Sequence, residues 1–333
     1  MSLSTGTLQR RLVTIPTLFV VAVLLLFSIP LWLPVAVIVD VVRGRFRLPV
    51  LRLVAFGLCW AWLETVGVIA AAGLWIAGQG HNRTAHYSLQ RWWASNLLAA
   101  LGATCGLRIE TADSEVFRPG PTVLFVRHAS LADSLVSGYV ITKLARLRPH
   151  YVLKKELLFD PCLDVVGHRV PNYFLDRGAD DSTPELAAIE RLASTLGADD
   201  VGIIFPEGTR SNPRKRVSAM ARIEQRDPAR AALLAPLAHL LPPRPSGATA
   251  MIRGAPHADV VLAWHVGFEG LDTFGGILQA LSRSLQPIRF VARRVPCSEV
   301  PTGAAFVGWL DEQWLIMDKE VGLALLARNE RKN

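Results

Sequence analysis

Apolar positions along this chain follow two different rhythms. From Val13 to Val42, and again from about Val50 to Ala77, they run almost without interruption. Each run is long enough to cross roughly 30 Å of hydrocarbon as a helix. Leu89, Trp93, Leu97 and Leu101 then recur at helical spacing, with Arg91 and Trp92 beside them, and predict a helix over 88–101. It is either a core-packing helix or an interfacial one whose Trp pair sits at headgroup level. From Leu107 onward short apolar runs alternate with helical patterns. The runs predict strands at Arg108–Thr111, Thr122–Val126, Tyr151–Leu153, Tyr173–Leu175, Val201–Phe205, Val260–Gly267 and Ile288–Val295. Ser182-Thr183-Pro184-Glu185 reads as a helix start, and Leu186, Ile189, Leu192 and Leu196 form its inner stripe. Leu241 to Gly247, rich in proline, reads as an extended or turn segment. The pattern predicts an α/β fold, a mostly parallel sheet flanked by helices, preceded by a hydrophobic helical hairpin. Its division is an anchor over 1–85 and an α/β catalytic domain over 86–333.

Charge changes the reading of the apolar hairpin. Its tip holds Arg43, Arg45, Arg47 and Arg52, against Arg10 and Arg11 before it and Arg83 and Arg91 after it. Positive-inside counting places that tip in the cytoplasm, so two full spans would put the catalytic domain on the other side. A re-entrant hairpin, with Pro16, Pro30 and Pro34 bending the first helix and Glu64 avoiding the midplane, removes part of the conflict. Both geometries stay open. The first run is too long for a cleaved signal peptide and lacks a small-residue cleavage site.

Hydrophobic residues make up 51% of the chain and charged ones only 19%, which points to a membrane protein. The net charge of +8 suits anionic surfaces, and the apolar N-terminus selects phospholipid over nucleic acid. Cys59, Cys105, Cys162 and Cys297 are scattered without ligand spacing, and no His-x-x-x-His or His-Glu-x-x-His occurs, so no metal site is indicated. Gly-x-Ser-x-Gly, dinucleotide and Walker motifs are absent as well.

Candidate chemistry sits in two short motifs, Arg127-His128-Ala-Ser-Leu-Ala-Asp133 and Phe205-Pro-Glu207-Gly208-Thr209-Arg210-Ser211. His128 and Asp133 lie about 140° apart on a regular helix. They meet only if the chain turns between them, with Asp133 in the first helical turn reaching back to orient the imidazole. That turn would also bring free helix N–H groups near a reacting carbonyl. In the second motif Gly208 allows close backbone approach and Arg210 offers a fork of donors to phosphate. Glu207 reads as a partner of a hydroxyl or an arginine. Lys154 and Lys155 close a predicted strand, to meet phosphates or to face solvent. Arg214-Lys215-Arg216 is an exposed basic loop, or a contact for CoA or headgroups.

His128-x4-Asp133, Lys154-Lys155-Glu156-Leu157, Phe174-Leu-Asp-Arg177 and Phe205 to Arg210, in this order, resemble the motifs of the lysophosphatidic acid acyltransferase family. From about 239 the chain resembles that family's longer lysophospholipid acyltransferase branch. The resemblance spans roughly 85–320 and is strongest over 122–211. It implies a membrane enzyme that moves a fatty acyl group from acyl-CoA, or acyl carrier protein, to the free hydroxyl of 1-acylglycerol-3-phosphate, making phosphatidic acid. Its implied roles are His128 as general base, Asp133 as its orienting carboxylate, and Arg177 with the block Glu207, Gly208, Thr209 and Arg210 as acceptor-binding residues. No cofactor is implied beyond the acyl-CoA co-substrate, and the location implied is the cytoplasmic side of the cell membrane. The sequence departs from the family at Arg127, where asparagine or serine is usual, at Asp164-Val165, which replaces a small-aromatic pair, and at Pro171. Two other functions fit part of the pattern: acylation of a different lysophospholipid, and a tethered lipid-binding protein without turnover. A hydrolase using His128 to activate water is a third.

Overall fold

The computed structural model describes residues 5–111, 116–130, 132–176, 182–271 and 273–330. The first apolar run forms two helices, α1 (Thr5–Phe27) and α2 (Ile29–Val42), where the sequence predicts one bent helix. Pro30 has no N–H with which to continue the ladder, so the chain stops at Ser28 and restarts with proline in the first turn. Pro16 and Pro34 lie inside their helices. The second run is α3 (Pro49–Ile76), and its start is held by buried Asp40 of α2, which accepts from the N–H groups of Val50 and Leu51 at 2.9 and 3.1 Å. By length and composition, Gly6–Phe27 and Pro49–Ile76 could each cross a membrane.

Polar side chains tie α1 and α3 to the rest of the protein. Helix α4 (Arg83–Cys105) is longer than its apolar stripe predicts. Arg52, near the start of α3, donates to the carbonyls of Thr104 and Cys105 at the end of α4 and of Leu281 at the end of α11 (Phe274–Leu281). Glu64, midway along α3, accepts from Trp93 Nε1 at 2.8 Å and from the N–H of Cys162 at 3.2 Å. Trp93 is thus turned inward, which splits the predicted interfacial Trp pair; Trp92 is the exposed member. Arg10 and Arg11 of α1 both grip buried Asp164 of α6 (Pro161–Gly167), at 3.0 and 3.1 Å. Asp164→Ala would leave two guanidinium groups facing an apolar seam, and breaking such a pair costs about 3–5 kcal/mol when the partners are fully buried, less here because both arginines keep some water. Faster amide hydrogen exchange along α1, with the strands unchanged, is the expected result.

All seven predicted strands form, in one sheet ordered β1-β7-β6-β2-β5-β3-β4. They are β1 (Ile109–Thr111), β2 (Thr122–Val126), β3 (Arg148–Lys154), β4 (Tyr173–Leu175), β5 (Asp200–Ile204), β6 (Asp259–Val266) and β7 (Ile288–Val295). Strands β6, β2, β5, β3 and β4 run parallel, whereas β7 pairs antiparallel with β6 and carries β1 beside it. Central strands β2 and β5 are buried along their whole length, as continuous apolar runs in parallel sheets are. One face packs Phe125, Ile189, Met251 and Trp314, drawing on α7 (Thr183–Ser194), α10 (Pro245–Gly254) and α12 (Ala305–Glu330). The other packs Leu124, Val136, Ile141 and Phe290, drawing on α5 (Asp133–Tyr139). Because five strands are parallel, the chain leaves β2, β5, β3 and β4 at the same edge, and the motif residues follow those strand ends.

Two segments differ from their predicted form. Pro245 opens α10, so the proline-rich stretch is extended only to Arg244, because proline is suited to the first helical turn. Arg214-Lys215-Arg216 lies in the first turn of α8 (Pro213–Arg226), whose start is capped by Asn212 accepting from the N–H of Lys215 at 2.8 Å.

Candidate active site

His128 follows β2, and Asp133 opens α5 five residues later. The turn between them folds the carboxylate back, and Asp133 Oδ2 lies 2.8 Å from His128 Nδ1. A carboxylate only accepts, so Nδ1 carries the proton and Nε2 presents its lone pair. His128 is 16% exposed, its ring packed against Phe205 at 4.8 Å between centroids. Its backbone is clamped on both sides by the second motif. The His128 N–H donates to Glu207 Oε1 at 2.7 Å, and its carbonyl accepts from the N–H of Ser211 at 2.7 Å.

Asp133 is 1% exposed and heavily solvated by protein. It accepts from the N–H groups of Ala129 and Ser130 at 2.7 and 2.9 Å and from Ser130 Oγ at 2.6 Å. These two N–H groups are therefore committed to the carboxylate. A second imidazole completes the cage. His265 of β6, fully buried, places Nε2 2.9 Å from Asp133 Oδ1 and packs edge-on against Phe268. Burial alone would raise the Asp133 pKa, but the charges of His265 and His128 and their hydrogen bonds outweigh it and hold the carboxyl well below the usual range. Sequence reading passes over His265 among the other histidines. The signal was present, because it is the one ionisable side chain within the apolar stretch Val260–Val266.

Among the described residues Glu207 is held by backbone, with no hydroxyl or arginine hydrogen-bonded to it. It is 1% exposed, and its two oxygens accept from the N–H groups of His128 at 2.7 Å and Leu241 at 2.9 Å. Burial pushes its pKa up to about 8, against the pull of those two N–H groups and of Arg127. It braces three chain segments. Gly208 turns the chain at φ +70°, and a Cβ there would come within 3.1 Å of the Arg244 side chain. Thr209 Oγ1 accepts from Lys215 Nζ at 3.2 Å. Arg210 is partly exposed, with no side-chain partner among the described residues. Lys154 ends β3 at the site edge, and Lys155 pairs with Asp176 at 2.8 Å in solvent. Arg177 lies outside the described residues. Arg127 is buried and turned away from the site, donating to the carbonyl of His265 and to Glu269. Among the described residues, no cluster of three or more His, Cys, Asp or Glu could hold a metal.

Residues 108–242 match the model of the acyltransferase family. Both motifs, with the strands that carry them, fall inside this acyltransferase region. The crystal structure of the 1-acyl-sn-glycerophosphate (LPA) acyltransferase PlsC from Thermotoga maritima aligns with a TM-score of 0.51 at 15% identity, over 80% of this chain and 95% of that one. The fold is PlsC-like, and the resemblance drawn from the motifs is borne out. No curated protein sequence matches the chain.

Proposed function

We propose that this acyltransferase acylates the free hydroxyl of 1-acylglycerol-3-phosphate at a membrane surface, using a fatty acyl thioester of CoA, and yields phosphatidic acid. The observation that supports this reading best is His128, oriented by Asp133 at 2.8 Å and presenting Nε2 at the same sheet edge as the Arg210 guanidinium, which has no partner among the described residues. His128 Nε2 takes the hydroxyl proton as the oxygen attacks the thioester carbonyl. Collapse of the tetrahedral intermediate breaks the C–S bond, and the imidazolium returns its proton to the departing thiolate. Asp133 steadies the imidazolium. Arg210, with Arg177 and Lys154, holds the acceptor's phosphate. The location we assign is the cytoplasmic face of the cell membrane, where acyl-CoA is found.

Product analysis of the purified protein, given labelled acyl-CoA and a panel of lysophospholipids, tests the reading. Labelled phosphatidic acid is expected. Labelled free fatty acid alone would make the protein a hydrolase, and absence of turnover with every acceptor would leave a lipid-binding protein. Within this function, Arg210→Ala is expected to raise the acceptor KM by about ten- to hundred-fold with the acyl-CoA KM unchanged, because a charge-assisted contact to phosphate contributes about 1.5–3 kcal/mol. His265→Phe removes one partner of Asp133 without touching substrate. It should lower kcat roughly ten- to hundred-fold and leave both KM values near normal.

A further inference from the structure

A cationic cavity adjoins the site just described and has no part in the mechanism above. It encloses about 750 Å³ between α8, α9 (Pro228–Leu234) and the segment 241–246, and it begins at Glu207 and Thr209 of the second motif. Its walls carry Arg214, Lys215, Arg222, Arg226 and Arg244. Among the described residues no carboxylate lies within ion-pair distance of Arg214, Arg222, Arg226 or Arg244. The cavity's acidic side chains are already engaged: Glu207 by two backbone N–H groups, and Asp227 by the N–H of Arg230 at 3.0 Å. Arg230 differs from the others, because Asp311 neutralises it at 2.7 Å.

Five cations lining one concave surface repel one another, and an anion entering between them relieves that repulsion. A single phosphate monoester is too small to use them. Arg214 to Arg226 spans twelve residues of helix, roughly 18 Å. Apolar surface lies between the charges, from Ala219 and Ile223 on α8 and the rings of Pro242, Pro243 and Pro245 opposite. Apolar side chains interleaved with separated cations suit a nucleotide whose base stacks while phosphates at two positions meet arginines.

We infer that this cavity binds the 3′-phosphoadenosine diphosphate end of CoA. The inference rests on the proposed thioester donor and adds its location. The pantetheine arm then runs past Thr209 toward His128, whose N–H is already bonded to a cavity residue, Glu207. Donor and acceptor divide the second motif between them: the nucleotide lies on the α8 side, and the acceptor phosphate lies at Arg210.

The test pairs binding with kinetics on the full chain in detergent. Arg222 and Arg226 are exposed on α8, so Arg222→Glu with Arg226→Glu is compatible with folding, which circular dichroism checks. Adenosine 3′,5′-bisphosphate is expected to bind the wild type and compete with acyl-CoA, and the double variant to lose that binding. Its acyl-CoA KM should rise at least tenfold, with the lysophosphatidic acid KM within twofold and turnover of an acyl-pantetheine thioester, which lacks the nucleotide, unchanged. A rise in the lysophosphatidic acid KM instead would assign the cavity to the acceptor and overturn the inference. Loss of affinity for phosphatidylglycerol vesicles at unchanged acyl-CoA KM would assign it to the bilayer surface and overturn the inference equally. If phosphatidic acid forms normally but neither the bisphosphate nor the double variant has any effect, the site falls while the proposed function stands. If the bisphosphate binds and the variant abolishes binding, yet no lysophospholipid is acylated, the proposed function falls and the nucleotide site stands.

Discussion

His128→Ala should lower kcat for acyl transfer by about 10²–10⁴-fold while the protein stays folded and membrane-bound. A general base contributes about that much, and an alcohol is a poor nucleophile without one. The ring is partly exposed and, among the described residues, its only side-chain hydrogen bond is to Asp133, so its loss opens no large cavity. Thermal unfolding should shift little. Near-normal turnover in a folded variant would remove His128 from the mechanism.

Asp133→Ala should behave differently, because activity and stability are expected to fall together. Asp133 is the acceptor for two backbone N–H groups and one hydroxyl, and it lies within 3 Å of two imidazoles. Removing a buried carboxylate from such a cage costs about 3–5 kcal/mol, since its donors are left without partners. The pH dependence has a definite sign. The folded-state pKa is depressed below the unfolded value of about 3.9, so the carboxylate's contribution is complete above that pH and is lost as pH falls toward the folded value. Chemical denaturation of wild type and variant should therefore differ fully at pH 5–8 and converge under strong acid. A variant that unfolds like the wild type at neutral pH would show that the cage is not a stabilising element.

The seven strands were legible because each is a short apolar run bounded by turn residues, a signal contained within one stretch of chain. The meeting of His128 and Asp133 was also legible, from the failure of a regular helix to bring them together. What the sequence concealed depends on distant partners. Nothing local to Glu207 announces that Leu241, 34 positions on, donates to it. His265 stands 132 positions from Asp133, and no local period links them. Asp164 and Arg127 look like departures from a family pattern, yet each is held by side chains elsewhere: Asp164 by Arg10 and Arg11, Arg127 by Glu269. Helix α8 was hidden for a different reason, because its cation-rich first turn opposes the helix dipole and resembles a loop until the Asn212 cap is seen.

The attachment of α3 at Arg52 and again at Glu64 has a consequence for how substrate arrives. A helix bonded to the catalytic region near its start and at its middle lies along that region and does not stand away from it. The outer faces of α1 and α2 leave Leu24, Phe27, Leu31 and Val42 uncovered, and seated in one leaflet they would form a keel there. A lysolipid already dissolved in that leaflet would reach the sheet edge by sliding sideways, a search in two dimensions, and its acyl chain would never have to leave oil.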